Sequence, residues 1–163
     1  MHYDIFQLSK IPVKQDEYIS ADKISNVDDF FSWADYIGDE REGDIRKECI
    51  VSLAKRTNGV FSLNDDYSLT YNGEEALRAF LTEWAENLRE LTAKLNADNI
   101  LTEMNLYKIK DRCDRTHVED WCRYYIEEWN GYAAPFCDVF GWARCCLKEG
   151  DRVYIGAVYD FHC

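Results

Sequence analysis

The sequence predicts an α+β fold in a single domain, residues 1–163. Three observations predict it. Stretches with helical apolar spacing and stretches that alternate stand in separate blocks, no strand–helix–strand alternation runs through the chain, and no repeat or Ser/Gly-rich linker divides its 163 residues. Hydrophobic residues make up 47% and aromatics 15%, which supplies one packed core and is too much for a disordered chain.

Residues 1–10, with Tyr3, Ile5, Phe6 and Leu8, read as a strand that Pro12 ends. Val27, Phe30, Phe31, Ala34 and Ile37 have helical spacing, which predicts a helix over 27–37 with Gly38 as its left-handed terminus. A second helix is expected over 45–57 on the stripe Ile45, Cys49, Leu53 and Ala54, with Asp44 as N-cap and Asn58–Gly59 as the stop. Residues 60–71 read as a hairpin around Asn64–Asp65–Asp66.

The clearest element follows. Asn72-Gly-Glu-Glu75 has the form of a capping box, in which side chains at both ends satisfy free backbone N–H groups. Leu77, Phe80, Leu81, Trp84, Leu88, Leu91 and Leu95 then recur every three or four residues, predicting a helix over 74–95 with one broad buried face. A short strand is expected near Leu106–Lys110. Thr116-His-Val-Glu119 reads as a second capping box, opening a helix over 117–130 with Val118, Trp121, Cys122, Tyr125 and Trp129 on one face. The tail reads as a hairpin over 139–162: a strand at Val139–Leu147, a turn at Lys148–Asp151, and a strand in which Val153, Ile155, Ala157, Tyr159 and Phe161 alternate. The sheet containing both hairpins is expected to be antiparallel.

Charge excludes more than it selects. With 31 acids against 19 bases the net charge is −12, which disfavours nucleic acid as a partner because phosphate binding rests on Lys and Arg. No apolar run approaches the roughly 18 residues of a membrane span. The N-terminus lacks the cationic start and apolar core of a secretory signal, and the odd count of 7 cysteines reads as reduced thiols, so the expected compartment is cytoplasmic. Neither phosphate-cradling G-x-x-x-x-G-K-[ST] nor dinucleotide-binding G-x-G-x-x-G is present.

Cys113, Cys122, Cys137, Cys145, Cys146 and Cys163 fall in the C-terminal third together with His117 and His162. No C-x-x-C pair is among them, and Cys122, Cys145 and Cys146 lie in apolar stretches, so packed thiols are expected, with no metal and no cofactor. The alternative is a metal- or thiol-dependent enzyme centred on this cluster, with Cys113, His117, Cys122 and Cys163 as ligands. His2, His117 and His162 stand in no catalytic motif, and an enzyme is the minority reading.

One segment of about thirty residues resembles the winged-helix transcription regulators. Helix 45–57 carries Arg46, Lys47, Lys55 and Arg56, and the 60–71 hairpin ends in Ser68-Leu-Thr-Tyr-Asn-Gly before the long helix. The resemblance implies a DNA-binding wing, yet the candidate wing holds Asp65 and Asp66 where phosphate would call for Arg or Lys.

The acids themselves are concentrated. Residues 16–44 carry a net −8 of the total −12, with Phe30, Phe31, Trp33 and Tyr36 interleaved among them. Charge that steers an encounter, combined with aromatic anchors, suits a non-catalytic module that binds a basic protein surface. The expected contact residues are Asp28, Asp29, Trp33, Asp35, Tyr36, Asp39, Glu40 and Glu42. Ser32-Trp-Ala-Asp-Tyr-Ile37, Asp44-Ile-Arg46 and Tyr154-Ile-Gly-Ala-Val-Tyr-Asp-Phe-His162 resemble small acidic proteins of gut-dwelling Firmicutes, often found near mobile elements. That resemblance implies no activity; its context brings to mind anti-restriction and immunity proteins by analogy.

Overall fold

The computed structural model describes residues 2–26, 34–102, 106–109 and 122–162. In chain order the elements are β1 (His2–Ser9), α1 (Ala21–Ser25), β2 (Tyr36–Glu40), α2 (Gly43–Arg56), β3 (Phe61–Leu63), β4 (Leu69–Tyr71), α3 (Gly73–Ala93), β5 (Arg123–Tyr125), β6 (Ala133–Ala134), α4 (Phe136–Cys146) and β7 (Arg152–His162). A 3-10 turn at Gln15–Glu17 precedes α1. The fold is α+β.

The sheet is organised by its longest strand, β7. One edge of β7 pairs antiparallel with β1. Its other edge is shared: Arg152 and Val153 pair with β4, while Tyr159–His162 pair with β2. The strand order is β3-β4-β7-β1-β5-β6, with β2 joined to β7 off this path. Residues 153–161 are mostly buried because helices and loops cover both faces. On one face Phe6, Leu8, Val153, Ile155 and Val158 pack with Ile50 and Leu53 of α2, Leu77 and Phe80 of α3, and Phe136, Phe140 and Trp142 of α4. On the other, Ile5, Ala157 and Phe161 meet Ile19, Ile24, Ala34 and Tyr125.

A bulge lies at the centre of the sheet. Phe6 pairs with Val158 and Leu8 with Ile155, so Gly156 and Ala157 both stand opposite Gln7. The buried Gln7 amide plugs the bulge: its Oε1 accepts from Ala157 N and Ile19 N, each at 3.0 Å, and its Nε2 donates to Glu17 O. The two carbonyls on the opposite side, Ile155 O and Gly156 O, accept from Arg46 Nη2 at 2.7 Å each.

The first strand, the hairpin, the α2 and α3 helices and the last strand lie where the sequence predicts them. Asn58 (φ 44°) and Gly59 (φ 90°) end α2 in the left-handed region. Several expectations are corrected. Tyr36 and Ile37, expected to end a helix over 27–37, lie in β2, because pairing with β7 supplies backbone hydrogen bonds that outweigh local helical spacing. Gly38 serves a close approach instead of a C-terminal turn: a Cβ there would stand 2.9 Å from Asp160 Oδ2. Residues 27–33 of that helix lie outside the described set.

The helix expected over 117–130 is also overturned. Residues 117–121 lie outside the described set, and Arg123–Tyr125 form β5, which runs parallel to β1 and antiparallel to β6. The sheet is therefore mixed. The expected strand at 139–147 is the helix α4, so the hairpin over 139–162 does not form; β7 pairs with β1, β4 and β2 instead. Near Leu106–Lys110, residues 106–109 are helical.

Two helix starts differ from their expected form. Glu42 holds the N-cap position of α2, and Asp44 lies in its first turn. The Asn72 side chain makes no cap bond; its Nδ2 donates to Gly59 O and Ser62 Oγ, closing the base of the hairpin. On α2 the inward face is Arg46, Ile50, Leu53 and Thr57, while Ile45 is 58% exposed.

Candidate functional site

Of the eight predicted contact residues, Asp35 immediately precedes β2, Tyr36, Asp39 and Glu40 lie on it, and Glu42 lies in the turn into α2. Asp28, Asp29 and Trp33 lie outside the described residues. β2 is held to β7 on one side by the Tyr36–His162 and Ile37–Phe161 register. Among the described residues no strand pairs with its other side. Asp35, Asp39 and Glu42 are exposed, and Asp44 follows on the first turn of α2.

The base that interrupts this run does not neutralise it. Arg41 turns inward, with Nη2 2.7 Å from Asp160 Oδ1 and Nε 3.2 Å from Asp4 Oδ1. Its backbone N–H donates to Val158 O, which fixes the turn between β2 and α2 and the direction of the side chain. Burial, then the nearby Glu42 charge, raises the Glu40 carboxyl above its ordinary range, with Arg46 partly offsetting both. An added positive charge beside Glu40 would relieve that cost.

Tyr36 is 49% exposed, and one ring face stacks on His162 at 5.5 Å with an interplanar angle of 4°. His162 Nδ1 lies 2.9 Å from Asp35 Oδ2. The strand register brings His2 opposite His162, and their rings meet edge to face at 5.3 Å. His2 Nδ1 is 2.8 Å from Asp160 Oδ2. The acidic edge thus rests on a frame of two histidines, Asp160, Asp4 and Arg41.

Sequence reasoning missed that frame. Its members come from both ends of the chain and converge only because β1 and β7 pair along their length. The usable signal was a histidine at the outer end of each of two predicted strands.

The cysteines read differently. Cys122 is buried, Cys146 is half-buried on α4, and Cys137 and Cys145 are exposed on the same helix. Cys113, His117 and Cys163 lie outside the described residues. Among the described residues, no group of three or more His, Cys, Asp or Glu side chains is arranged to hold a metal ion.

The bases of the winged-helix resemblance are largely engaged within the fold. Arg46 is bound into the β7 bulge, the Arg56 guanidinium lies 6.0 Å from the centre of the Phe6 ring, and Lys47 Nζ is 2.9 Å from Asp44 Oδ1. In the hairpin turn, Asp66 pairs with Arg152 at 2.8 Å.

A separate cleft of about 490 Å³ opens at the C-terminal ends of the parallel strands β1 and β5, with Lys10, Ile11, Glu17, Glu127 and Glu128 in its walls. Among the described residues, no helix is long and apolar enough to cross a membrane. No family model, curated protein or solved structure matches this chain.

Proposed function

We propose that the chain is a protein-interaction module that receives a basic segment of another protein along the acidic edge formed by β2 and the start of α2. The observation that carries this reading is the inward turn of Arg41, which leaves Asp35, Asp39 and Glu42 facing solvent along β2, a strand with one side unpaired among the described residues. An edge strand offers main-chain N–H and C=O groups to an extended partner, and the flanking carboxylates select Lys and Arg. Tyr36 supplies the aromatic anchor, held in place by its stack on His162.

The test is titration of the intact protein with an extended lysine-rich peptide at rising salt. Binding should weaken steeply with ionic strength, since exposed charges are screened within about 10 Å at 0.1 M salt. Asp39→Lys with Glu42→Lys should abolish it, and Tyr36→Ala should weaken it without changing its salt slope. Binding indifferent to salt, or unchanged by the double charge reversal, rejects the proposal.

A further inference from the structure

This acidic chain carries a groove of the opposite sign. The broad face expected of α3 is fully buried only at Leu77 and Phe80, with Leu81, Trp84, Leu88 and Leu91 half-buried further along the same side. About a third of a turn round the helix stands a different stripe, Arg78, Thr82, Ala85 and Arg89, spaced by four, three and four residues. It lines a groove of about 490 Å³ to which α4 contributes Arg144.

Three arginines and one carboxylate, Glu74, stand in its walls, so the groove is positive in a chain of net charge −12. Arg78 follows Glu75 by three residues and Arg89 follows Glu86 by three, the spacing at which Asp44 and Lys47 pair on α2. Among the described residues neither arginine makes an ion pair or a side-chain hydrogen bond, and both stand in the groove wall instead. Arg144 is held in place: Glu74 accepts from its Nε at 3.2 Å and its Nη2 at 3.0 Å. That grip fixes the guanidinium beside α3 and leaves its Nη1 donors for a ligand.

We propose that this groove docks an acidic amphipathic helix of a partner protein. Three observations select that occupant. First, the lining runs from Glu74 to Arg89, about four turns of α3, so the ligand lies along the helix. Arg78 and Arg89 are about 16 Å apart along its axis, too far to close on a single phosphate or carboxylate. They suit acids spread over an elongated ligand, each met by the planar fork of one guanidinium. Second, the surface between the arginines is Leu81 and Ala85. An apolar stripe covers Leu81, whereas a phosphate chain, polar along its whole length, does not. The small Ala85 lets a second backbone approach closely, as helix-in-groove recognition requires. Third, the charges are uneven along the groove. Arg78 and Arg144 both neighbour Glu74, and Arg89 stands alone three turns further on. A partner is therefore read in one direction, with two carboxylates at one end of its apolar stripe and one at the other. This surface shares no residue with the acidic edge and selects the opposite charge.

Isothermal titration of the intact protein with a synthetic helix bearing a Leu/Ala stripe and Glu in that pattern tests the proposal. The peptide should bind, and more weakly as salt rises. Arg78→Ala with Arg89→Ala should weaken it by about tenfold or more. The melting curve should stay, because both side chains are exposed and Ala favours the helix. Asp39→Asn with Glu42→Gln, on the acidic edge, should leave the affinity unchanged. The same peptide with Gln in place of Glu should bind poorly, and so should tripolyphosphate. Failure of the native chain to bind the Glu peptide overturns the proposal, as does full binding by the Arg78→Ala, Arg89→Ala protein. Equal binding of the Gln peptide, or tighter binding of tripolyphosphate, overturns it as well.

Discussion

The Gln7 side chain occupies the space that a Cβ on Gly156 would need: a Cβ built there stands 2.6 Å from Gln7 Cδ. Gln7 cannot withdraw, because its amide is fixed to Ala157 N, Ile19 N and Glu17 O. This pair ties the central bulge to the loop that leads into α1, and with it the second core under Ile5 and Phe161. Gly156→Ala should therefore destabilise the protein by about 1–3 kcal/mol, the usual range for overpacking. Gln7→Ala leaves two buried N–H groups without their acceptor, at about 1–3 kcal/mol each. The two effects should not add, since Gln7→Ala removes the three atoms nearest to a Cβ at position 156. Urea denaturation of the two single variants and the double variant measures this; strict additivity would show that the contact does not constrain the bulge.

Arg46 serves the same bulge from the other side. Losing its two charge-assisted hydrogen bonds to Ile155 O and Gly156 O in Arg46→Ala should cost about 2–4 kcal/mol. Lys55→Ala, an exposed change on the same helix, should stay within about 0.5 kcal/mol. The contrast separates a structural arginine from a phosphate-contacting one. If Arg46→Ala melts like the native chain and instead loses affinity for duplex DNA, the winged-helix resemblance gains force.

How much of this was legible in the sequence depends on where the decisive hydrogen bonds lie. α2, α3 and the 60–71 hairpin are local, and their spacing and turn residues locate them. α4 carried its signal in plain view: Phe136, Val139, Phe140, Ala143 and Leu147 recur at helical intervals and are all buried. Between them Gly141 is half-buried and Cys145 exposed, and neither is polar enough to break an apolar run, so the segment passes for a central strand. β5 and β2 are a different case. Tyr124 and Tyr125 are buried on opposite faces only because β1 and β6 flank them, and no local pattern encodes that. The acidic edge was legible as charge, but its shape was not. The inward turn of Arg41 depends on Asp4 and Asp160, which are 37 and 119 residues away.

Acid should loosen the hairpin through Asp66. The Ser68 hydroxyl bonded to it at 2.6 Å, then the Ser68 N–H, then Arg152, hold its carboxyl below the ordinary carboxylate range. A depressed folded value means that the contribution is fully present above the unfolded value, near 4, and is lost as pH falls through the folded one. The stability difference between the native chain and Asp66→Asn should be constant at neutral pH and shrink below about pH 4. Thermal melts of both proteins across that range measure it, and a difference that grows with acid would contradict the assignment.

Thiol reactivity should sort the cysteines by environment. Burial, followed by the charge of Asp4 and its hydrogen bond, pushes the Cys49 thiol up to about 11, with Arg41 and Arg56 offsetting only part. Cys137 is exposed as a residue, but partial desolvation of its sulfur, with Asp138 beside it, also raises its thiol. The thiolate is the nucleophile, so Cys49 should resist iodoacetamide at pH 8 in the folded protein and react on unfolding. Cys145, exposed on α4, should be alkylated well before it. Asp4→Asn removes the leading electrostatic cause and leaves Arg41 beside the thiol, so Cys49 should then react faster at the same pH. Peptide mass mapping after timed alkylation reads all three rates. Equal labelling of Cys49 and Cys145 in the native chain, or no acceleration in Asp4→Asn, would show that Asp4 does not govern this thiol.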